Sequence, residues 1–297
     1  MSDARSSCDV SVVIPARDAA GVLPAQLAAL AAQDHDQEWE VVVADNGSTD
    51  DTAALVERTA RDFPVTLRVV DASRARGINV GRNDGIAAAA GTVILLCDAD
   101  DEVAPGWLHA LAEALESADI AGGSIELETL NSAWSVRARP MGAPFEINGV
   151  VLPIGANIGF RTAVWEHVGG FDEDFSYGAW DEHDFTYRAH CAGFSARKVP
   201  EAEVRYRLRP DRRGMMRQQW GIGRGEILFQ DKHPEFLAPR SLSRDVVTLA
   251  RSTGGLARRF AQRSTDRDEA LGFVSYQCGR FAESARLASR CALARTA

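Results

Sequence analysis

The sequence predicts an α/β protein: a Rossmann-like, mostly parallel sheet with helices on both faces, followed by a helical C-terminal extension. Three observations predict it. Short, almost uninterrupted apolar runs recur through the first hundred residues, the pattern of strands buried on both faces. Segments with apolar residues at helical spacing separate them, giving a βαβαβαβ order that closes into a parallel sheet. The chain of 297 residues, 45% apolar and 25% charged, is long enough for one large domain or a domain with an appendage.

The elements follow in order. Asp9–Pro15 is a first strand, ended by Pro15, which cannot continue a central ladder. Leu23, Leu27, Leu30 and Ala31 make a helix that Pro24 is placed to start. Glu40–Asp45 is a second strand, and Asn46–Asp51 is a turn with helix-capping residues. Leu55, Val56 and Ala60 continue that helix, and Val65–Val70 is a third strand. Asn79–Ala90 is a small-residue helix stopped by Gly91, and Val93–Cys97 is a fourth strand. Trp107, Leu108, Leu111 and Leu115 form the next helix, and Ile120–Leu127 a further strand. Leu130–Pro153, with Pro140, Gly142, Pro144 and Gly149, reads as an irregular loop over the site. Gly155–Phe160 leads into a helix at Arg161–Val168, and Trp180–Ala192 is a helix that stops at Gly193. Two amphipathic helices are expected at 243–262 and 268–291. The division expected is an α/β domain over 1–232 and a basic helical extension over 233–297.

Charge divides along the same line. Met1 to Val204 carries 14 Lys and Arg against 33 Asp and Glu, while Arg205 to Ala297 carries 19 against 9. An acidic body with a basic tail suits an anionic partner reached through the tail, or simply solvated helix faces. It disfavours nucleic acid, because the body would repel a polyanion and no aromatic-interleaved platform is present. Cys8, Cys97, Cys191, Cys278 and Cys291 show no CxxC spacing and read as reduced thiols of a cytoplasmic protein. The polar start is no signal peptide, and no apolar stretch reaches the roughly 20 residues of a membrane span.

The chemistry concentrates where the fourth strand ends, in Cys97-Asp98-Ala99-Asp100-Asp101. Open α/β sheets bind ligands at the carboxyl ends of their strands. Asp98 and Asp100 can aim at one hard cation from a single turn, and oxygen donors suit Mg²⁺ or Mn²⁺ bridging to substrate phosphates. Taken alone, the same carboxylates could equally end a strand and cap the helix beginning near Pro105. Ala16–Gly21 lacks the GxGxxG of a dinucleotide site, and no Walker loop is present.

Val10–Pro15, Val43-Ala44-Asp45-Asn46-Gly47-Ser48-Thr49-Asp50-Asp51-Thr52, Arg82-Asn83, Cys97–Asp100, Gly169-Gly170-Phe171-Asp172 and Asp181-Glu182-His183-Asp184-Phe185 … Arg188 follow one another in register. Together they resemble the family 2 glycosyltransferases of GT-A fold over about residues 9 to 232. The resemblance implies a nucleotide-sugar donor, a divalent metal (Mn²⁺ or Mg²⁺) and inversion at the anomeric carbon. Carried over by position, Pro15 and Arg17 lie near the nucleotide and Asp45 accepts a hydrogen bond from a uracil-type base. Arg82 is the cation beside base and phosphates, Asp98 lies near the ribose, and Asp100 is the metal ligand with Asp98 as helper. Asp181-Glu182 stands where most members have Glu-Asp, and the register of Asp184 and Arg188 favours Glu182 over Asp181 as the base. Asp184 and Arg188, four apart, read as a structural helix pair.

The remaining candidates each carry a plainer alternative. Asn157 could touch the acceptor or simply form a turn. Trp180 could stack on a sugar or lie in the core. His233 is the first choice for a third metal ligand, although a single histidine more often sits on a surface. The arginines from Arg205 to Arg224, which include Arg217-Gln218-Gln219-Trp220-Gly221-Ile222-Gly223-Arg224-Gly225, could close over a diphosphate. The tail helices pack back on the body or rest on an anionic membrane beside a lipid-linked acceptor. The expected function is an inverting, metal-dependent transferase using a UDP-sugar, with a saccharide or lipid-linked acceptor, in envelope polysaccharide or glycoconjugate synthesis. The competing readings are a nucleotidyltransferase, for which the phosphate loop is missing, and a nucleotide- or glycan-binding protein without catalysis.

Overall fold

The computed structural model describes residues 8–34, 37–138, 146–176, 179–237, 242–261 and 267–294. Its strands are β1 (Val10–Ala16), β2 (Trp39–Asp45), β3 (Thr66–Asp71), β4 (Val93–Cys97), β5 (Glu102–Val103), β6 (Ile120–Glu126), β7 (Glu146–Ile147), β8 (Val150–Val151), β9 (Asn157–Arg161) and β10 (Ala196–Arg205). Its helices are α1 (Leu23–Ala31), α2 (Thr52–Thr59), α3 (Ile78–Ala88), α4 (Trp107–Ser117), α5 (Ala133–Ala138), α6 (Thr162–Val168), α7 (Asp181–Cys191), α8 (Arg212–Lys232), α9 (Leu242–Ala261) and α10 (Arg267–Ala294). The chain separates into two compact units. One comprises Met1–Thr129, Pro144–Ser176 and Asp181–Arg207; the other comprises Leu130–Ala143, Tyr177–Trp180 and Leu208–Ala297.

The first unit is built on an eight-stranded sheet of order β3-β2-β1-β4-β9-β6-β10-β5. The β1–β4 portion is parallel, as the sequence predicts. Pro15 does not end β1, which runs on to Ala16; the ladder to β4 stops at Val13, so the missing N–H removes no bond on that side. Strand β9 is antiparallel to both β4 and β6, which makes the sheet mixed. The sequence reading took Gly155–Phe160 as the approach to a helix and so missed it. Five residues with an internal glycine give little strand signal, yet a methyl at Gly159 would overlap the side chains of Leu95 and Leu115. Strand β10 was also unread: it is charged, contains Pro200, and shifts register between Val199 and Glu203. The expected loop at Leu130–Pro153 contains α5 and the β7–β8 hairpin; Pro140, Gly142 and Pro144 lie outside the described residues.

Two apolar layers cover the sheet. One joins Val12, Ile14, Val41, Leu95, Trp107 and Leu111, and the other joins Val13, Leu96, Phe160, Phe171 and Phe185. Phe171 stacks on Phe185 at 4.4 Å, and Phe160 meets Phe185 at 4.9 Å, beneath α7. At the end of the sheet away from the acidic turn, buried Glu40 accepts from Ser11 Oγ (2.8 Å), Ala90 N (2.7 Å) and Arg68 Nε (2.9 Å). This knot ties β1, β2, β3 and the α3–β4 connection.

In the second unit α8 and α10 approach so closely that methyl groups at Gly223 or Gly279 would overlap the backbone of the other helix. A charged network joins them to α9. Glu226 takes Arg280 and Tyr276, Arg280 reaches Asp245 (3.3 Å), and Ser284 donates to Asp245 (2.6 Å). Arg224 donates to Glu283 (2.8 Å) and lies 4.6 Å over Trp220. The arginine segment expected to clamp a phosphate is thus engaged within the helices at Arg224, and Arg212 is paired with Asp268 at 2.5 Å. Helix α8, assigned on the sequence to the catalytic domain, therefore groups with the tail; by packing the division falls at Arg207, not at residue 232. Among the described residues no helix is long and apolar enough to cross a membrane.

Burial pushes the Glu40 carboxyl up, but Arg68 and the two donors outweigh it and hold it below the usual value. A lowered folded-state value means the knot contributes stability above the ordinary glutamate range, lost as pH falls through it. Glu40→Gln should cost about 1–3 kcal/mol at pH 7. The difference from wild type should shrink below about pH 4, as read by urea unfolding at both pH values.

Candidate functional site

The carboxyl edge of the sheet gathers the expected donor residues. Pro15 and Arg17 follow β1, Asp45 ends β2, and Asp98 and Asp100 follow β4. The loops they stand on are cross-linked. Asp18 accepts from Thr49 N (2.7 Å), Asp50 accepts from Ala20 N (3.0 Å), and Ala19 N donates to Thr52 Oγ1 (2.8 Å). Asp45 Oδ1 accepts from Ser48 N at 2.9 Å. Asn46, which the sequence reading left as a turn residue, reaches over the next loop. Its Nδ2 donates to Ala72 O (2.6 Å) and Ala75 O (2.7 Å), and its Oδ1 accepts from Gly77 N (3.0 Å).

Asp98, Asp100 and Asp101 bring one carboxylate oxygen each to within 4.8 Å of one another. Three carboxylates so close, with no nitrogen or sulfur donor among them, could hold a hard divalent cation rather than a soft one. His233 does not join that group among the described residues. It caps α8 in the second unit, with its ring 4.8 Å from Phe229 and Nδ1 3.9 Å from Glu235. The third carboxylate of the group is Asp101.

Arg82 lies on α3 and is 3% exposed. It ion-pairs with Asp181 through Nη1, donates from the same nitrogen to Asn79 Oδ1 (3.3 Å), and brings Nη2 to 3.9 Å from Asp98. The guanidinium lies 5.3 Å from the Phe171 ring centre, and a methyl at Gly155 would overlap it. Arg82 therefore links the two acidic centres, the turn after β4 and the start of α7. The sequence reading placed it beside the donor; its tie to Asp181 was not legible, because 99 residues separate the partners.

Asp181 and Glu182 open α7, where the macrodipole favours negative charge. Asp181 is 1% exposed and Glu182 8%. Burial pushes the Asp181 carboxyl well up; Arg82 draws it back, and the neighbouring Glu182 charge pushes it further. Burial acts on Glu182 too, but buried His183, 3.7 Å from its carboxylate, together with Arg82, holds it below the usual carboxylate range. The two neighbours thus separate into a carboxyl clamped by a guanidinium and a more open, ionised carboxylate. Asp184 and Arg188 make the expected helix pair at 2.7 Å, and Arg188 also donates to Val168 O and Gly170 O.

Two acceptor candidates are corrected. Asn157 is fully buried at the start of β9; its Oδ1 accepts from Trp107 Nε1 (2.8 Å) and its Nδ2 donates to Ser124 O (2.7 Å) and Ala202 O (2.8 Å). With both polar atoms held inside the sheet, it stitches β6, β9, β10 and α4 together and has no face for a substrate. Trp180 is 7% exposed, with its ring 5.2 Å from Phe229, so the core alternative describes it. Asn79, given no role on the sequence, donates to Asp172 O (2.9 Å), and Asn83, named there only as part of the Arg82-Asn83 motif, donates to Phe171 O (2.8 Å) and accepts from Phe171 N. Their spacing with Arg82 along α3 was the available signal.

Removing Arg82 leaves Asp181 buried without its countercharge. Arg82→Met should destabilise the chain by roughly 3–5 kcal/mol. Asp181→Asn added to it should recover much of that loss; chemical unfolding of the single and double variants reads the coupling.

Known proteins resemble this chain in sequence and in fold. The family model described as glycosyl transferase family 2 matches residues 11–189. Glycosyltransferase AglE of Haloferax volcanii is 25% identical over 225 residues, 73% of each chain. Some curated relatives match over less: the succinoglycan biosynthesis protein ExoU of Rhizobium meliloti is 39% identical over 108 residues, and the aligned part covers 36% of this chain and 31% of that one. Among solved structures, the mannosyltransferase PcManGT of Pyrobaculum calidifontis, in complex with GDP-Man and Mn²⁺, superposes with a TM-score of 0.64 at 19% identity over 95% of this chain and 87% of its own. S. aureus TarS 1-349 in complex with UDP-GlcNAc gives 0.56 at 17% identity over 94% and 92%. The fold is the GT-A architecture with added C-terminal helices.

Proposed function

The chain belongs to glycosyl transferase family 2, and on that premise we propose that it moves a sugar, with inversion, from a nucleoside diphosphate sugar to an acceptor hydroxyl. The observation that carries this reading is Arg82, which ties the acidic turn after β4 to the acid pair that opens α7. One edge of one sheet then offers a place for a nucleotide, a place for a diphosphate and a carboxylate for the incoming hydroxyl.

Asp45, half-buried at the end of β2, has an oxygen for the imide N–H of a base, which favours uridine; Pro15 and Arg17 flank it. Asp98 and Asp100 would hold Mn²⁺ or Mg²⁺, since the donor set fits a hard cation. A cation there would offset the charge that builds on the departing diphosphate. Glu182 accepts the proton of the acceptor hydroxyl. As that O–H breaks, the oxygen bonds to the anomeric carbon from the face opposite the diphosphate, and the bond from that carbon to the phosphate oxygen breaks. A single displacement needs one base and no protein nucleophile, in contrast with retaining hydrolysis. Glu182 is the less buried of the pair, 8% exposed against 1% for Asp181, and so is the better placed of the two to meet a hydroxyl. Asp181, clamped by Arg82, orients the start of α7.

The acceptor is a saccharide or a lipid-linked glycan in envelope polysaccharide or glycoconjugate synthesis, a reading supported by relatives such as ExoU. Exposed Val246 and Val247 on α9, with exposed Arg251 beyond them, would suit contact with the cytoplasmic face of a membrane carrying such acceptors.

The test begins with a thermal-shift screen of UDP-, GDP- and dTDP-sugars with and without Mn²⁺. A UDP-sugar should raise the midpoint, and more so with Mn²⁺ present. Glu182→Gln should then lower kcat by roughly 10²–10⁴-fold with donor binding kept, while Asp100→Ala should abolish the Mn²⁺-dependent part of donor binding. Wild-type transfer rates in both variants would sink the assignment of roles.

A further inference from the structure

The acidic turn after β4 is fastened from one side by the residue on which β10 leaves the first unit. Strands β5 and β10 are antiparallel, with Arg205 opposite Glu102 and Val204 opposite Val103. Two residues on, Arg207 bends back onto the turn twice. Its backbone N donates to Asp101 Oδ1 at 2.7 Å, and its side-chain Nε donates to the carbonyl oxygen of Asp100 at 2.7 Å. Its Nη2 lies 3.6 Å from Glu102, and Arg205 Nη1 lies 3.9 Å from the other oxygen of that carboxylate. Asp101 is 1% exposed, so its bond to Arg207 forms out of competition with water. Asp101 N closes the turn on Asp98 O at 3.4 Å.

We propose that Asp101 and Arg207 are positioning residues that set the turn carrying Asp98 and Asp100, so that those two carboxylates are held ready for a divalent cation before it arrives. Asp101 contributes an acceptor oxygen for a backbone amide. Arg207 grips the main chain of the very residue that offers the ligand. The two contacts hold the Asp100 carbonyl and the side chain of the residue next to it. A turn fixed in this way has less freedom to lose when an ion binds, and affinity rises for that reason. Two other roles are distinguishable. If Asp101 acted as a charged ligand, its carboxylate charge would matter and its amide acceptor would not. If Arg207 acted only as a cation beside four carboxylates, its removal would strengthen ion binding.

The inference rests on the reading of Asp98 and Asp100 as cation ligands, and its experiment keeps the two apart. Mn²⁺ affinity is measured by calorimetry on the full chain for wild type, Asp101→Asn, Asp101→Ala, Arg207→Lys and Arg207→Met, with amide hydrogen exchange of residues 98–102 as the second readout. The brace requires Asp101→Asn to stay within about threefold of wild type, because the carboxamide oxygen still accepts. Asp101→Ala and Arg207→Met should each weaken Mn²⁺ about tenfold or more and raise the donor KM more than they lower kcat. Together they should lose less than the sum, since both cut one brace. Arg207→Lys should fall with Arg207→Met although it keeps the charge. Tighter or unchanged Mn²⁺ binding in Arg207→Met overturns the proposal, as does an Asp101→Asn as weak as Asp101→Ala. If wild type takes up no Mn²⁺, the cation reading fails. Exchange then decides the brace alone: faster exchange in Asp101→Ala but not in Asp101→Asn sustains it, and equal exchange in both removes it.

Discussion

A guanidinium group cannot be sealed inside a protein without carboxylates around it, and that constraint at Arg82 shapes the whole acidic edge of the sheet. The cation is held between Asp98, which follows a strand, and Asp181, which opens a helix 83 residues later. Either carboxylate buried alone would be costly. Joined through one arginine, they fix the distance between the two halves of the site. The aromatic face of Phe171 and the bare backbone of Gly155 complete the cavity that the cation occupies. Room for the guanidinium has thus been made on several elements at once.

Helix α3 is the element through which this constraint spreads. Asn79, Arg82 and Asn83 lie at helical spacing, and each reaches the 171–181 segment. Asn83 both donates to and accepts from Phe171, whose ring stacks on Phe185 of α7. Hydrogen bonds and apolar packing therefore point to the same placement of the acid pair. On the other side of α3, Asn46 holds the loop that leads into the helix. Small polar side chains with fixed reach do this work better than long charged ones, since they lose little rotamer freedom.

The elements legible in the sequence were those whose signal is local. The apolar strands β1 to β4, the helices between them, the start of α7 and the two tail helices all carry their own periodicity. The acids at the strand ends were legible for the same reason, because the sheet edge is implied by the strand. Strand β9 was not, since its place is set by Leu95, Leu115 and the two neighbours it separates. Asn157 looked like a substrate contact because a polar residue beside glycine suggests a loop; burial within a sheet, with three partners waiting, is a tertiary fact. Trp180 was likewise ambiguous by residue type, and its burial against Phe229 describes it as core. Arg224 showed the opposite bias: a cation in a phosphate-like segment was matched by Glu283, which no spacing rule connects to it. The tie between Arg82 and Asp181 is the clearest case, because each was named as a site residue and the bond between them was invisible.

The antiparallel strand β9 has a consequence for the order in which the chain can become a protein. It fills the gap between β4 and β6, and β6 takes its other neighbour from β10. Both late strands are synthesised after the four parallel ones. A nascent chain ending anywhere before Asn157 therefore carries an uncovered β4 edge and a β6 with neither partner. Open edges of apolar strands are templates for pairing with other chains, and domains dominated by distant pairings fold slowly. The same late insertion that seats Asn157 opposite Cys97 leaves the β4 edge open until that strand has been made.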